Sequence, residues 1–150
     1  MKTKLVLAVT ASLCLGIGAV SAVSAADEPQ VVRAEMMKKI GGAMGALGKI
    51  AKGEQPYSAD TVKASLTTIH DTIKAFPEQF PAGTETGMKT EASPKIWEDK
   101  AGFEHEANEL AEVAEAQLAS MPADQKAVGA TVKALGDVCS DCHKSYRLKK

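Results

Sequence analysis

Apolar residues recur along this chain at alternating spacings of three and four, the period that lines one face of an α-helix. The clearest run covers 58–76, where Val62, Leu66, Ile69, Ile73 and Phe76 form a single stripe. A run over 30–52 places Met37, Ile40, Met44, Leu47 and Ala51 on one side and stops at Gly53, a suitable C-cap because glycine enters left-handed backbone freely. A third run, 93–120, opens with Ser93-Pro94 as cap and first turn. It carries Ile96, Phe103, Ala107, Leu110, Ala114 and Leu118 inward, with Lys100 interrupting, and Glu98, Glu106, Glu109 and Glu115 are expected on its solvated side. The fourth, 123–148, carries Val128, Val132, Leu135, Val138, Cys142 and Tyr146. Prolines 29, 56, 77, 81, 94 and 122 punctuate these runs, as proline disrupts a helix interior but suits its first turn or a linker. Only 77–92, rich in Gly, Thr and Pro, is long enough to read as an exposed loop. Four amphipathic helices of about five turns each, mostly with short links, predict an all-α fold, an antiparallel up-down four-helix bundle.

Composition agrees. The chain has 150 residues, 45% hydrophobic and 25% charged, which describes one ordinary globular domain. Its six aromatics (Tyr57, Phe76, Phe80, Trp97, Phe103, Tyr146) are few for a β-sandwich. A formal net charge of −1 and the lack of a basic stripe with interleaved aromatics argue against a nucleic-acid partner.

The N-terminus reads as an export signal over 1–26. Lys2 and Lys4 precede an apolar stretch, 5–20, and the small residues of 21–26 suit cleavage after Ala25 or Ala26. A retained membrane helix would want a longer apolar core and a basic stop, and Leu13 before Cys14 argues against a lipoprotein. Removing the signal leaves one domain, 27–150, of 124 residues, with 16 basic against 19 acidic groups and a net charge of −3. Two cysteines then remain, Cys139 and Cys142, whose disulfide would close a loop too small to restrain the unfolded chain usefully.

Cys139-Ser140-Asp141-Cys142-His143 is instead the attachment pattern for c-type haem. On a helix the two cysteines share a face at i and i+3, so each sulfur can take one vinyl group as a thioether. His143 lies on the same side, where its imidazole can serve as proximal axial ligand to iron. A zinc site would need a second ligand pair, which His70 and His105 do not supply, and both are expected at the surface. A thioredoxin-type site belongs at a helix start after a strand, not deep in a last helix. For the other face of the iron the residues leave several candidates. Met36, Met37 and Met44 lie on the first helix, while Met88 in the loop and Met121 at a helix junction read as apolar filler.

Several segments resemble the class II c-type cytochromes, the cytochrome c′ family. They are Arg33 followed four residues later by Met37, Lys52-Gly53-Glu54, Phe80-Pro81-Ala82-Gly83-Thr84-Glu85, Pro94-Lys95-Ile96-Trp97, and the haem motif followed by Tyr146-Arg147. The segment 36–45 is similar to the low-spin members, those with Met/His ligation. The resemblance implies one covalent haem c, Met37 as distal axial ligand and Arg33 beside a haem propionate; an exposed arginine at the helix start is the alternative for Arg33. It implies a periplasmic one-electron carrier of a Gram-negative bacterium that serves redox partner proteins and is not an enzyme. It also leaves open a high-spin, gas-binding cytochrome c′ with Met37 uncoordinated. Because family members often dimerise through the first two helices, Gly41, Gly42, Gly45 and Gly48 suggest a homodimer interface, with tight haem or intrachain packing as the rival reading. Lys144, Arg147, Lys149 and Lys150 suit the negative end of the last helix and could also steer an acidic partner.

Overall fold

A computed structural model describes residues 28–149, so the export signal lies outside the described residues. Five helices follow one another: α1 (Pro29–Ala51), α2 (Ala59–Ala75), the single turn α3 (Lys95–Glu98), α4 (Lys100–Ala119) and α5 (Gln125–Tyr146). Among the described residues there is no strand, only an isolated antiparallel bridge between Ala92 and Arg147. α1 packs beside α2 and α5, and α4 beside α2 and α5, which closes the square of an up-down-up-down bundle.

Local chemistry sets the helix ends. Pro29 opens α1, where its fixed φ suits the first turn and no N–H is missed. α1 closes on Gly53 at φ +73°, with Gly53 N–H donating to Ile50 O and Glu54 N–H to Lys49 O, both bonds of a Schellman cap. Ser58 and Asp124 cap α2 and α5, their side chains accepting from Thr61 N and Ala127 N.

The third periodic run is broken, contrary to the single helix expected. Asp99 leaves the helix at φ −133° and ψ 63°, and its carboxylate then caps α4 by accepting from Gly102 N at 3.1 Å. The same carboxylate accepts from the Tyr146 hydroxyl of α5 at 2.8 Å. That hydroxyl, first by desolvation and then by its bond to Asp99, is pushed up to about 12, while Asp99 is held below its usual range, chiefly by Tyr146. Gly102 makes the junction possible, because a Cβ there would stand 2.5 Å from Asp99 Oδ2.

Leu47, Val62, Leu66, Ile69, Ala114, Val128 and Leu135 have no exposed surface and form the centre of the core. On α1 the buried stripe is Ile40, Ala43, Leu47 and Ile50, rotated from the one expected. Met36, Met37, Met44 and Ala51 are only half-buried at its edge. Five of the six aromatics gather at one end, with Phe80 at the hub, 5.0 Å from Phe76, 4.8 Å from Phe103 and 5.5 Å from Trp97, and Phe103 is 5.5 Å from Tyr146. Phe80 is therefore core rather than exposed loop.

Arg33 organises the loop that follows, and the exposed helix-start reading of it does not stand: only 4% of the residue is exposed. Its Nη1 donates to Gln79 O and Thr84 Oγ1, and its Nη2 to Thr84 O at 2.8 Å and Thr90 Oγ1. The guanidinium lies 4.6 Å from the Phe80 ring centroid and 5.5 Å from that of Trp97. Burial pulls its pKa down, and the Glu85 charge opposes that. A planar fork with several fixed donors is what four acceptors on one loop require, and an ammonium lacks that geometry.

Two substitutions test this account by denaturant unfolding of the purified protein. Arg33→Lys is expected to lose about 1.5–3 kcal/mol, the range for hydrogen bonds to a charged group. Leu66→Ala, in the dense centre, should lose about 2–5 kcal/mol. Stability unchanged in Arg33→Lys would mean that the loop holds its shape without the fork.

Candidate functional site

The aromatic end of the bundle is hollow. A cavity of about 620 Å³ opens there between α1, α4, α5 and the loop, within the size range of small-molecule and cofactor sites. α5 supplies Val138, Cys139, Cys142, His143 and Tyr146, α1 supplies Arg33, Met37, Gly41 and Met44, and α4 supplies Phe103, Glu106 and Leu110. The C-terminal end of α5 is pinned in place. Ser93 N–H donates to Tyr146 O, Leu148 N–H to Glu91 O, and Arg147 forms an ion pair with Glu91.

Cys139 and Cys142 are free, half-buried thiols on the cavity wall. Desolvation raises the pKa of Cys139. Cys142 is pushed up to about 12, first by desolvation and then by the charges of Glu106 and Cys139. They also sit in the last two turns of α5, at the negative end of its dipole. Both facts oppose the low-pKa thiolate of a redox disulfide site. His143 stands at the mouth with part of its ring in water. Removal of water from its cavity side, then the Arg147 charge, lower its pKa against the opposing Glu91, which favours the neutral ring that can ligate a metal. Among the described residues no cluster of three or more His, Cys, Asp or Glu could hold a metal ion by itself, so the zinc alternative has no ligand set there.

The methionines separate. Met37 and Met44 line the cavity, one on each side of Gly41, whose absent side chain leaves open space between them. Met36 packs against the core beside the cavity, and Met121 packs against the core elsewhere. Met88 is not filler: it lines the mouth, is 53% exposed and adopts φ +46°. Gly42, Gly45 and Gly48 meet no neighbour of this chain within 4 Å of an added Cβ, so close intrachain packing does not explain them.

Glu106 departs furthest from expectation. It lines the cavity instead of the solvated side, and its Oε2 is buried without a hydrogen-bond partner. Its sequence position carried the signal, since it stands three after Phe103 and four before Leu110 on the apolar stripe. Gln30 Oε1 and Arg33 Nε are likewise buried without partners, and both residues also line this cavity. The Arg33 Nε–H suits an anionic group such as a propionate, whereas the other two atoms are acceptors. An apolar space of this size, two free thiols with an adjacent imidazole, and an unpaired arginine donor fit a haem. His70, bonded to Asp71 at 2.8 Å, and the exposed His105 lie away from the cavity. Two of the C-terminal cations are paired, Lys144 with Asp141 at 2.6 Å and Arg147 with Glu91, and Lys150 lies outside the described residues.

Comparison with known proteins agrees with this geometry. The Cytochrome C′ family profile matches residues 28–147. A cytochrome c-556 of Agrobacterium tumefaciens (strain B2A) is 55% identical over 118 residues, covering 79% of this chain and 95% of that protein. The solved cytochrome c′ of Rhodopseudomonas palustris superposes with a TM-score of 0.77 at 34% identity, covering 82% of this chain and 98% of that one. A structure of oxidised cytochrome c556 from the same organism gives 0.74 at 31% identity, covering 82% and 98%. The chain belongs to the cytochrome c′ family of class II c-type cytochromes, whose members carry one covalently bound c-type haem.

Proposed function

We propose that this protein is a periplasmic one-electron carrier whose haem is tethered by Cys139 and Cys142 and whose iron is held by His143 and Met37. The observation that carries the reading is that one cavity is lined by the Cys139–His143 motif of α5 and by the Met37 thioether of α1. When bound, the haem supplies a one-electron couple, which a thioether ligand tunes upward in potential.

Each residue has a separable task. Cys139 and Cys142, protonated and half-buried, are kept from disulfide chemistry and available for thioether formation. His143 presents a neutral ring. The Arg33 fork fixes the loop while its Nε–H is left to neutralise a propionate. Phe76, Phe80 and Phe103 keep water from the apolar side of the cavity. Nothing in this arrangement requires a bound substrate to be transformed, in keeping with a carrier serving redox partner proteins.

The remainder of the proposal concerns export and assembly. Residues 1–26 are removed as a signal, and no described helix is long and apolar enough to cross a membrane. The open space over Gly42, Gly45 and Gly48 favours a homodimer through α1 and α2, because a second copy could approach there closely.

Visible spectra test the iron ligands. The reduced protein should show sharp, split α and β bands and resist carbon monoxide. Met37→Ala should give a broad high-spin band and bind carbon monoxide readily, while Met44→Ala retains the low-spin spectrum. A low-spin spectrum that survives Met37→Ala would remove Met37 from the iron. A high-spin spectrum of the unmodified protein would favour the gas-binding alternative. N-terminal sequencing of exported protein should begin at Ala26 or Asp27.

A further inference from the structure

Glu106 is a half-buried carboxylate that lines the largely apolar cavity and stands in no ion pair among the described residues. α4 presents Phe103, Glu106, Ala107 and Leu110 to that space, and of these only Glu106 can carry charge. Its Oε2 is shielded from solvent and accepts no hydrogen bond. Three of the cations that line the cavity make contacts elsewhere, Arg33 with Gln79, Thr84 and Thr90, Lys38 with Glu35 at 3.6 Å, and Arg147 with Glu91, and the fourth, Lys89, forms no ion pair with Glu106 among the described residues. Among the described residues no ion pair includes Glu106.

A charge withdrawn from water without a partner is costly unless something else compensates for it. The compensation available here is the cofactor. A ferric porphyrin core carries one more positive charge than the ferrous one, so a fixed negative charge beside it stabilises the oxidised state preferentially. The effect is strong where water is scarce and weakly screened by salt.

We propose that the Glu106 carboxylate is a potential-setting group that favours the oxidised haem, lowering the reduction potential and so restricting which partner proteins can reduce this carrier. The proposal rests on the haem reading above. The step concerned is a one-electron exchange with a partner redox protein, in which no bond forms or breaks and the carboxylate is not consumed. It also gives a reason for a carboxylate on the side of α4 that carries Phe103 and Leu110. Glu109, three residues further along the helix and exposed, carries the same charge into solvent.

The test is a spectroelectrochemical titration of the haem-loaded protein at fixed pH, with Glu106→Gln, Glu106→Met and the control Glu109→Gln. Both Glu106 variants should shift the equilibrium with a reference couple about tenfold toward the reduced form, ~59 mV upward for one electron. The shift should persist at 1 M salt, where the screening length is about 3 Å. Glu109→Gln, with the same change in net charge, should leave the potential unmoved. An unchanged or lowered potential in either haem-loaded Glu106 variant overturns the proposal. A shift matched by Glu109→Gln overturns it as well, and so does failure of both Glu106 variants to hold haem, which would make the residue structural. A high-spin spectrum in the unmodified protein would sink the Met37 ligation instead, because the potential comparison can still be made.

Discussion

A four-helix bundle gains most of its stability by filling the space between its helices, and in this one the side chains at one end line a cavity of about 620 Å³ instead. The rest of the structure follows from keeping that space open. Away from that cavity, Leu47, Val62, Leu66 and Val128 pack at the centre of the core without exposed surface. At the hollow end the helices cannot hold one another by side-chain interdigitation, so polar braces take over. Arg33 ties α1 to the loop through four acceptors, Tyr146 ties α5 to the Asp99 cap of α4, and the main chain around Glu91 and Ser93 ties the loop to the end of α5. These braces frame a cavity whose contents must be apolar in bulk and anionic at one edge.

The same arrangement divides labour between helices. α5 carries the groups proposed to tether the haem and hold its iron within little more than one helical turn, where spacing alone gives them a common face. α1 brings Met37 and Met44 to the cavity through bundle packing, so the proposed distal ligand depends on tertiary structure rather than on local spacing. α4 contributes Phe103 and the Glu106 carboxylate, whose Oε2 is buried without a hydrogen-bond partner. On the proposed reading, the iron ligands lie on α1 and α5 and the potential-setting carboxylate on α4.

How much of this was legible in the sequence depends on whether a feature is local. The stripe of α2 is local and is buried as read, and the Cys139–His143 spacing, also local, brings its three side chains to one cavity. The break at Asp99 was not visible, because that residue is held in place by Tyr146, forty-seven positions away. Arg33 was open to opposite readings for the same reason, since its partners lie 46 to 57 positions along the chain. The α1 stripe was rotated by the methionines, which are apolar enough to mimic core but border the cavity instead. Glu106 was misread on its residue type, although its spacing from Phe103 and Leu110 placed it inward.

The central claim is that the cavity belongs to a haem fastened at Cys139 and Cys142. Proteolysis of the purified, exported protein followed by mass measurement of the fragment spanning 139–143 tests it most directly. The account predicts a fragment heavier by one haem, with neither cysteine open to a thiol reagent. A fragment of unmodified mass carrying two alkylatable thiols would contradict it.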